Sequence, residues 1–89
     1  MLSDYKRCAI SARVAQILRE ERLSRGVSMT RVAEKAGLSQ QMVSYIERGM
    51  RNPTLDVLLR IAEAMDLRLD RVLSKAYGSE SHTDRRMRH

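Results

Sequence analysis

Apolar residues recur along this chain in five stretches, each with the three-and-four spacing of one helix face. In the first, from about Ser11 to Leu23, Val14, Ile17 and Leu18 share a face, Glu20, Glu21 and Arg22 fill the polar half, and Gly26 is the stop. The second opens at Ser28, a residue whose side-chain oxygen accepts from a free backbone N–H of the first turn. Val27 and Val32 flank that cap as a hydrophobic staple, and the helix runs from Met29 to about Ala36 before Gly37 ends it. The third repeats this grammar: Ser39 caps, Leu38 and Val43 staple, and the helix runs from Gln40 to Arg48 with Gly49 as its stop. Thr54 caps the fourth, whose apolar face is Leu55, Leu58, Leu59 and Ala62 and whose end lies near Met65. The fifth runs from about Leu69 to Tyr77.

These elements predict an all-α fold of five helices with short connections. Only Gly37-Leu38-Ser39 separates the second helix from the third, and so short a link imposes the steep crossing of a helix-turn-helix. Residues 1–10 are open between an extension of the first helix and an N-terminal arm. Residues 11–77 form the domain. Residues 78–89 lack periodicity and read as a solvated or disordered basic tail.

The third helix carries the candidate chemistry. At about 100° per residue, Gln40, Ser44, Arg48, Gln41 and Tyr45 fall on one side, with no carboxylate among them. Val43 and Ile46 fall on the other. A glutamine pairs bidentately with adenine N6 and N7, a serine donates or accepts, and a tyrosine packs on a thymine methyl or reaches a phosphate. Arg48, Arg51 and Asn52 cluster just after the helix, placed to hold a nucleic-acid backbone. Ser39 stands at a helix N-terminus, where free N–H groups attract phosphate. An ordinary polar surface helix is the alternative on these residues alone.

Composition sharpens this picture. The chain has 89 residues, enough for one domain. With no Trp or Phe and three Tyr, its core must be aliphatic. Seventeen basic residues against eleven acidic ones give a net charge of +6, and fourteen of the seventeen are Arg. Arginine forks suit phosphates and base edges, so the balance fits a polyanionic partner, although solubility alone also accounts for it. A single cysteine, Cys8, excludes a disulfide scaffold, and no apolar run approaches the roughly 18–20 residues of a membrane span. A cytoplasmic protein is expected. Cys8, His82 and His89 lie too far apart to hold a metal, and no nucleophile–base arrangement sits on an ordered segment. Neither an enzyme nor a cofactor is expected.

From Ser28 to Leu73 the chain resembles the phage-repressor-like helix-turn-helix family, often called the XRE family. The resemblance rests on Ala33, Gly37 and Val43 at the signature spacing, on Ile46-Glu47-Arg48-Gly49, on Arg51-Asn52-Pro53-Thr54-Leu55, and on Leu58-Leu59-Arg60-Ile61-Ala62. It implies a five-helix lambda-repressor-like domain and a sequence-specific transcriptional regulator that binds double-stranded DNA, a repressor or autoregulator. By resemblance, Gln40, Gln41, Ser44 and Tyr45 match base-contacting positions. Ser28, Thr30, Ser39, Arg48, Arg51 and Asn52 match or adjoin phosphate-contacting ones. Glu47 matches a carboxylate paired with an arginine of helix one. Arg19 is the first candidate partner and Arg22 the second.

Family members act as homodimers on inverted repeats. Leu69, Val72, Leu73, Ala76 and Tyr77 of the last helix are the expected dimer surface, or else they complete the core. Small family members also include restriction–modification controllers and antitoxins, so an interaction module holding a partner protein is the second functional reading. Three departures stand out. Met29 occupies a position where the family often has a phosphate-gripping Gln, with Thr30 as its replacement. Arg68 stands where a small polar cap is usual, and Asp66 where a turn glycine is common.

Overall fold

The computed structural model describes residues 3–50 and 52–80, in five helices: α1 (Asp4–Ser24), α2 (Met29–Ala36), α3 (Gln40–Glu47), α4 (Leu55–Ala64) and α5 (Leu69–Glu80). No strand occurs among the described residues. Four helices begin the same way. The side chains of Ser3, Ser28, Ser39 and Thr54 accept from the backbone N–H three residues on, at 3.2, 3.1, 3.0 and 3.2 Å. Each bond satisfies a donor that the first turn leaves orphaned. α5 has no such cap. Its first turn instead carries Asp70, an acid at the positive end of the helix dipole, with the Arg68 guanidinium bridging both its oxygens at 3.0 Å.

Four helices also end alike. A residue with φ near +60 to +72 turns the chain, and the residue after it returns its N–H to a carbonyl five back. Gly26, Gly37 and Gly49 take the left-handed position at the ends of α1, α2 and α3. At the end of α4 it is Asp66, φ 60, with Leu67 N–H reaching Ala62 O at 2.8 Å. Aspartate is one of the few side chains that tolerates this conformation, so the motif survives without glycine.

One boundary that the sequence left open is decided by the structure, and one differs from the expectation. α1 starts at Asp4, so residues 4–10 extend the first helix. Ser3 provides the cap, and Ile10 continues the buried stripe of Val14, Ile17 and Leu18 toward the N-terminus. α5 passes through Gly78 to Glu80, where the expectation had the helix stop and a tail begin. A glycine weakens a helix interior by about 1 kcal/mol but ends it only by turning left-handed, and Gly78 is not among the residues of positive φ. The remaining tail positions, 81–89, lie outside the described residues.

The core is aliphatic. Leu18, Ile46, Ile61, Val32 and Val43 are its most deeply buried large side chains. α1 packs on α5 and α3, while α2 packs on α3 and α4. Both staples close on this core: Val27 and Leu38 lie half-buried against the cluster that holds Val32 and Val43. The long α1 thus backs the helix-turn-helix, fixing α3 with its inner face sealed and its outer face in solvent.

Candidate nucleic-acid interface

α3 is split by burial into two faces. Val43 and Ile46 are enclosed, whereas Gln40, Gln41 and Arg48 are exposed and Ser44 and Tyr45 half-exposed. The polar side chains do not hang free. Thr30, in the first turn of α2, donates its hydroxyl to Gln40 Oε1 at 3.0 Å. This bond ties the start of the recognition helix to α2, and it is made by the residue following Met29. Gln41 Nε2 donates to Tyr45 Oη at 2.7 Å, one turn along the same helix. The Arg48 guanidinium then lies over the Tyr45 ring, 5.7 Å from its centroid.

The flanks supply hydroxyls and N-termini. Ser28 and Ser39 are exposed at the starts of α2 and α3, each accepting from the backbone. A hydroxyl that accepts in this way keeps its own proton to donate outward, which suits a phosphate oxygen. Asn52 is exposed just beyond α3. Arg51, named with it from the sequence, lies outside the described residues. Thr30 and Gln40 are therefore joined by one side-chain contact and Gln41, Tyr45 and Arg48 by two others, while Ser28, Ser39, Ser44 and Asn52 lie outside both groups.

Two sequence expectations need correction. Glu47 pairs with Arg22 and not with Arg19. Arg22 Nε lies 2.7 Å from one carboxylate oxygen and Nη2 3.1 Å from the other, and Nη1 donates to Val27 O at 2.9 Å. Arg22 sits one helical turn after the buried Leu18 and shares its face; Arg19 is rotated onto the exposed side. The second correction concerns the expected dimer surface. Leu69, Val72 and Ala76 are buried inside the chain's own core, because α5 packs back along α1. Only Leu73, half-buried, and Tyr77, 48% exposed, remain accessible. Both line an open groove of about 430 Å³ with Cys8, Val14, Pro53 and Leu58.

The sequence reading missed Arg60. Its Nη1 reaches Ala36 O at 3.3 Å, bracing the turn between the two helices, and its Nε pairs with Asp56 at 2.9 Å. The i,i+4 spacing of Asp56 and Arg60 was visible as a surface pair, but their reach to the turn was not. Among the described residues no cluster of His, Cys, Asp or Glu could hold a metal ion, and no helix is long and apolar enough to cross a membrane.

A family model described as Helix-turn-helix matches residues 18–72. An uncharacterized HTH-type transcriptional regulator of Mycobacterium tuberculosis is 44% identical over 48 residues, 54% of this chain and 34% of that protein. The HTH-type transcriptional regulator SinR of Bacillus subtilis is 28% identical over 68 residues, 75% of this chain and 61% of SinR. The chain thus spans about a third of the length of the first and less than two thirds of the second. Among solved structures, the restriction-modification controller protein C.AhdI from Aeromonas hydrophila is 36% identical with a TM-score of 0.64, covering 72% of this chain and 94% of C.AhdI. The clp gene regulator ClgR from C. glutamicum is 28% identical with a TM-score of 0.71, covering 80% of this chain and 91% of ClgR. With the matched span running from the end of α1 into α5, the chain belongs to the phage-repressor-like, or XRE, helix-turn-helix family.

Proposed function

We propose that this chain is a sequence-specific DNA-binding transcriptional regulator that enters the major groove with α3. The observation that carries the reading is the outer face of that helix. Gln40, Gln41, Ser44 and Tyr45 offer flat hydrogen-bonding groups, free of carboxylates, on a helix whose inner face is locked into the core. Ser28, Ser39, Arg48 and Asn52 flank that face and, with Arg51 next to Asn52 in the sequence, would hold phosphates, which fix register without reading sequence, while Thr30 holds Gln40. The net charge of +6 supports an electrostatic component. Relatives named as transcriptional regulators support the same role.

Such a helix reads only a few base pairs, so the regulator acts as a homodimer on an inverted repeat, with half-sites about 34 Å apart. Leu73 and Tyr77 supply accessible apolar surface for the contact, with Leu55 and Leu59 exposed on the outer side of α4. Occlusion of a promoter then makes it a repressor or autoregulator, working in the cytoplasm where the DNA is.

Repeated selection from a randomised duplex pool at physiological salt, with the mass in solution measured alongside, tests this reading. Enrichment of an inverted repeat by a dimer is the expected result. With about six phosphates neutralised, log K should fall with log salt at a slope near −5. Weak binding that enriches no sequence would overturn it and favour a module that holds a partner protein.

A further inference from the structure

Tyr45 sits on the recognition face, where a direct base contact is the obvious role. Its contacts point elsewhere. The hydroxyl takes an N–H from Gln41 at 2.7 Å, and the ring carries the Arg48 guanidinium at 5.7 Å. One side chain therefore holds two others that face solvent on the same surface. The Gln41 amide is the more constrained. An exposed glutamine amide is free to turn end for end, and its two ends read opposite base edges: the NH2 reads acceptors and the carbonyl reads amino groups. With Nε2 drawn back to Tyr45, Oε1 is the end left with both lone pairs uncommitted.

We infer that Tyr45 is a positioning residue that fixes the Gln41 amide before DNA is bound, so that the base preference of Gln41 depends on the Tyr45 hydroxyl. The inference rests on α3 being the recognition helix. Fixing the amide before binding removes the need to order it on the DNA, so the contact discriminates more sharply.

The test compares wild type, Tyr45→Phe, Gln41→Ala and the double variant. Phe keeps the ring under Arg48 and removes only the hydroxyl, so folding and phosphate contacts should stay intact. Each protein is titrated against the enriched half-site and against duplexes changed at the base pair whose preference Gln41→Ala abolishes. Tyr45→Phe should reduce that preference about fivefold or more, the worth of one hydrogen bond. In the Gln41→Ala background the Tyr45→Phe change should add nothing.

Side-chain amide resonances of the free protein give a readout independent of DNA. The Gln41 NH2 pair should be dispersed in wild type and collapse toward free-amide shifts in Tyr45→Phe. An unaltered preference in Tyr45→Phe, or an additive effect in the double variant, would each overturn the inference. Enrichment of no sequence by wild type would bring down the regulator reading and this inference with it. Failure of the Tyr45→Phe comparisons with an inverted repeat still enriched by wild type would bring down the inference alone.

Discussion

Arg22 and Glu47 form a two-pronged ion pair between α1 and the last turn of α3, with side chains only 8% and 3% exposed. The third arginine nitrogen takes up Val27 O in the link between α1 and α2. One guanidinium thus fixes the far end of the recognition helix and the loop that precedes α2. A buried pair like this adds little net stability, but removing one partner strands a charge and costs about 3–5 kcal/mol. Arg22→Ala and Glu47→Ala should each show that loss in urea unfolding. Arg22→Met with Glu47→Leu, which removes both charges and fills the space, should recover most of it. Arg19→Ala should stay within about 0.5 kcal/mol of wild type. An Arg19 variant as damaging as the Arg22 one would refute the pairing.

Much of this frame was legible because its signals are local. A serine or threonine three residues before its backbone partner marks the starts of α2, α3 and α4, and a left-handed glycine marks the ends of α1, α2 and α3. Gly37 and the small Ala33 make the turn readable from a few residues. What escaped depends on contacts distant in sequence. Arg22 and Arg19 look equivalent until the helix is rotated about Leu18. Leu69, Val72 and Ala76 looked like spare apolar surface because no local signal shows that α5 lies back along α1, and the start of α1 itself was left open. The missing signal was Ser3, a cap seven residues upstream of the first buried residue, Ile10. In the interface, the residues were legible and their mutual bonds were not, since nothing in the order of residues aims Thr30 at Gln40.

The turn itself can be dissected at two glycines of nearly equal conformation, Gly26 at φ +66 and Gly37 at φ +72. A Cβ at Gly26 would meet nothing within 4 Å, whereas at Gly37 it would lie 3.3 Å from Arg60 Nη1. Both alanine variants carry the left-handed penalty of about 1–2 kcal/mol. Gly37→Ala should cost more, because the guanidinium must give way and its bond to Ala36 O weakens. Placing Gly37→Ala in an Arg60→Ala background should shrink its cost toward that of Gly26→Ala. Equal costs in the two backgrounds would mean that Arg60 does not brace the turn.

Glu21 joins α1 to α5, and its acid limb is predictable. The Lys75 ammonium, 3.2 Å away, and the Arg25 guanidinium hold its carboxyl below the ordinary value of 4.5, against a smaller opposing effect of burial. A carboxyl lowered in the folded state stabilises the fold above its unfolded pKa and loses that contribution as pH falls through the folded value. Wild type should therefore exceed Glu21→Gln in thermal midpoint at neutral pH. The gap should narrow as the pH drops below 4.5 and close once Glu21 is protonated in both states. High salt should narrow it as well, since the cluster is open to solvent. A gap that persists unchanged at acid pH would assign the effect to packing.

Thr30 offers the cleanest separation of reading from folding. Its hydroxyl donates to Gln40 Oε1 from an exposed position in the first turn of α2, so Thr30→Val keeps the shape and removes the donor. Stability should change by no more than about 0.5 kcal/mol, since no buried group is stranded. In binding, Gln40 must then be ordered by the DNA itself. Discrimination at its base pair should fall by about 1 kcal/mol, the net worth of one hydrogen bond. Thr30→Ser, which keeps the hydroxyl, should restore it. Single-base substitutions across the half-site locate the effect: a loss confined to the position that Gln40→Ala also relaxes assigns Thr30 to orientation of the reader. A uniform loss over all duplexes would assign it to a phosphate, because backbone contacts carry no sequence information directly.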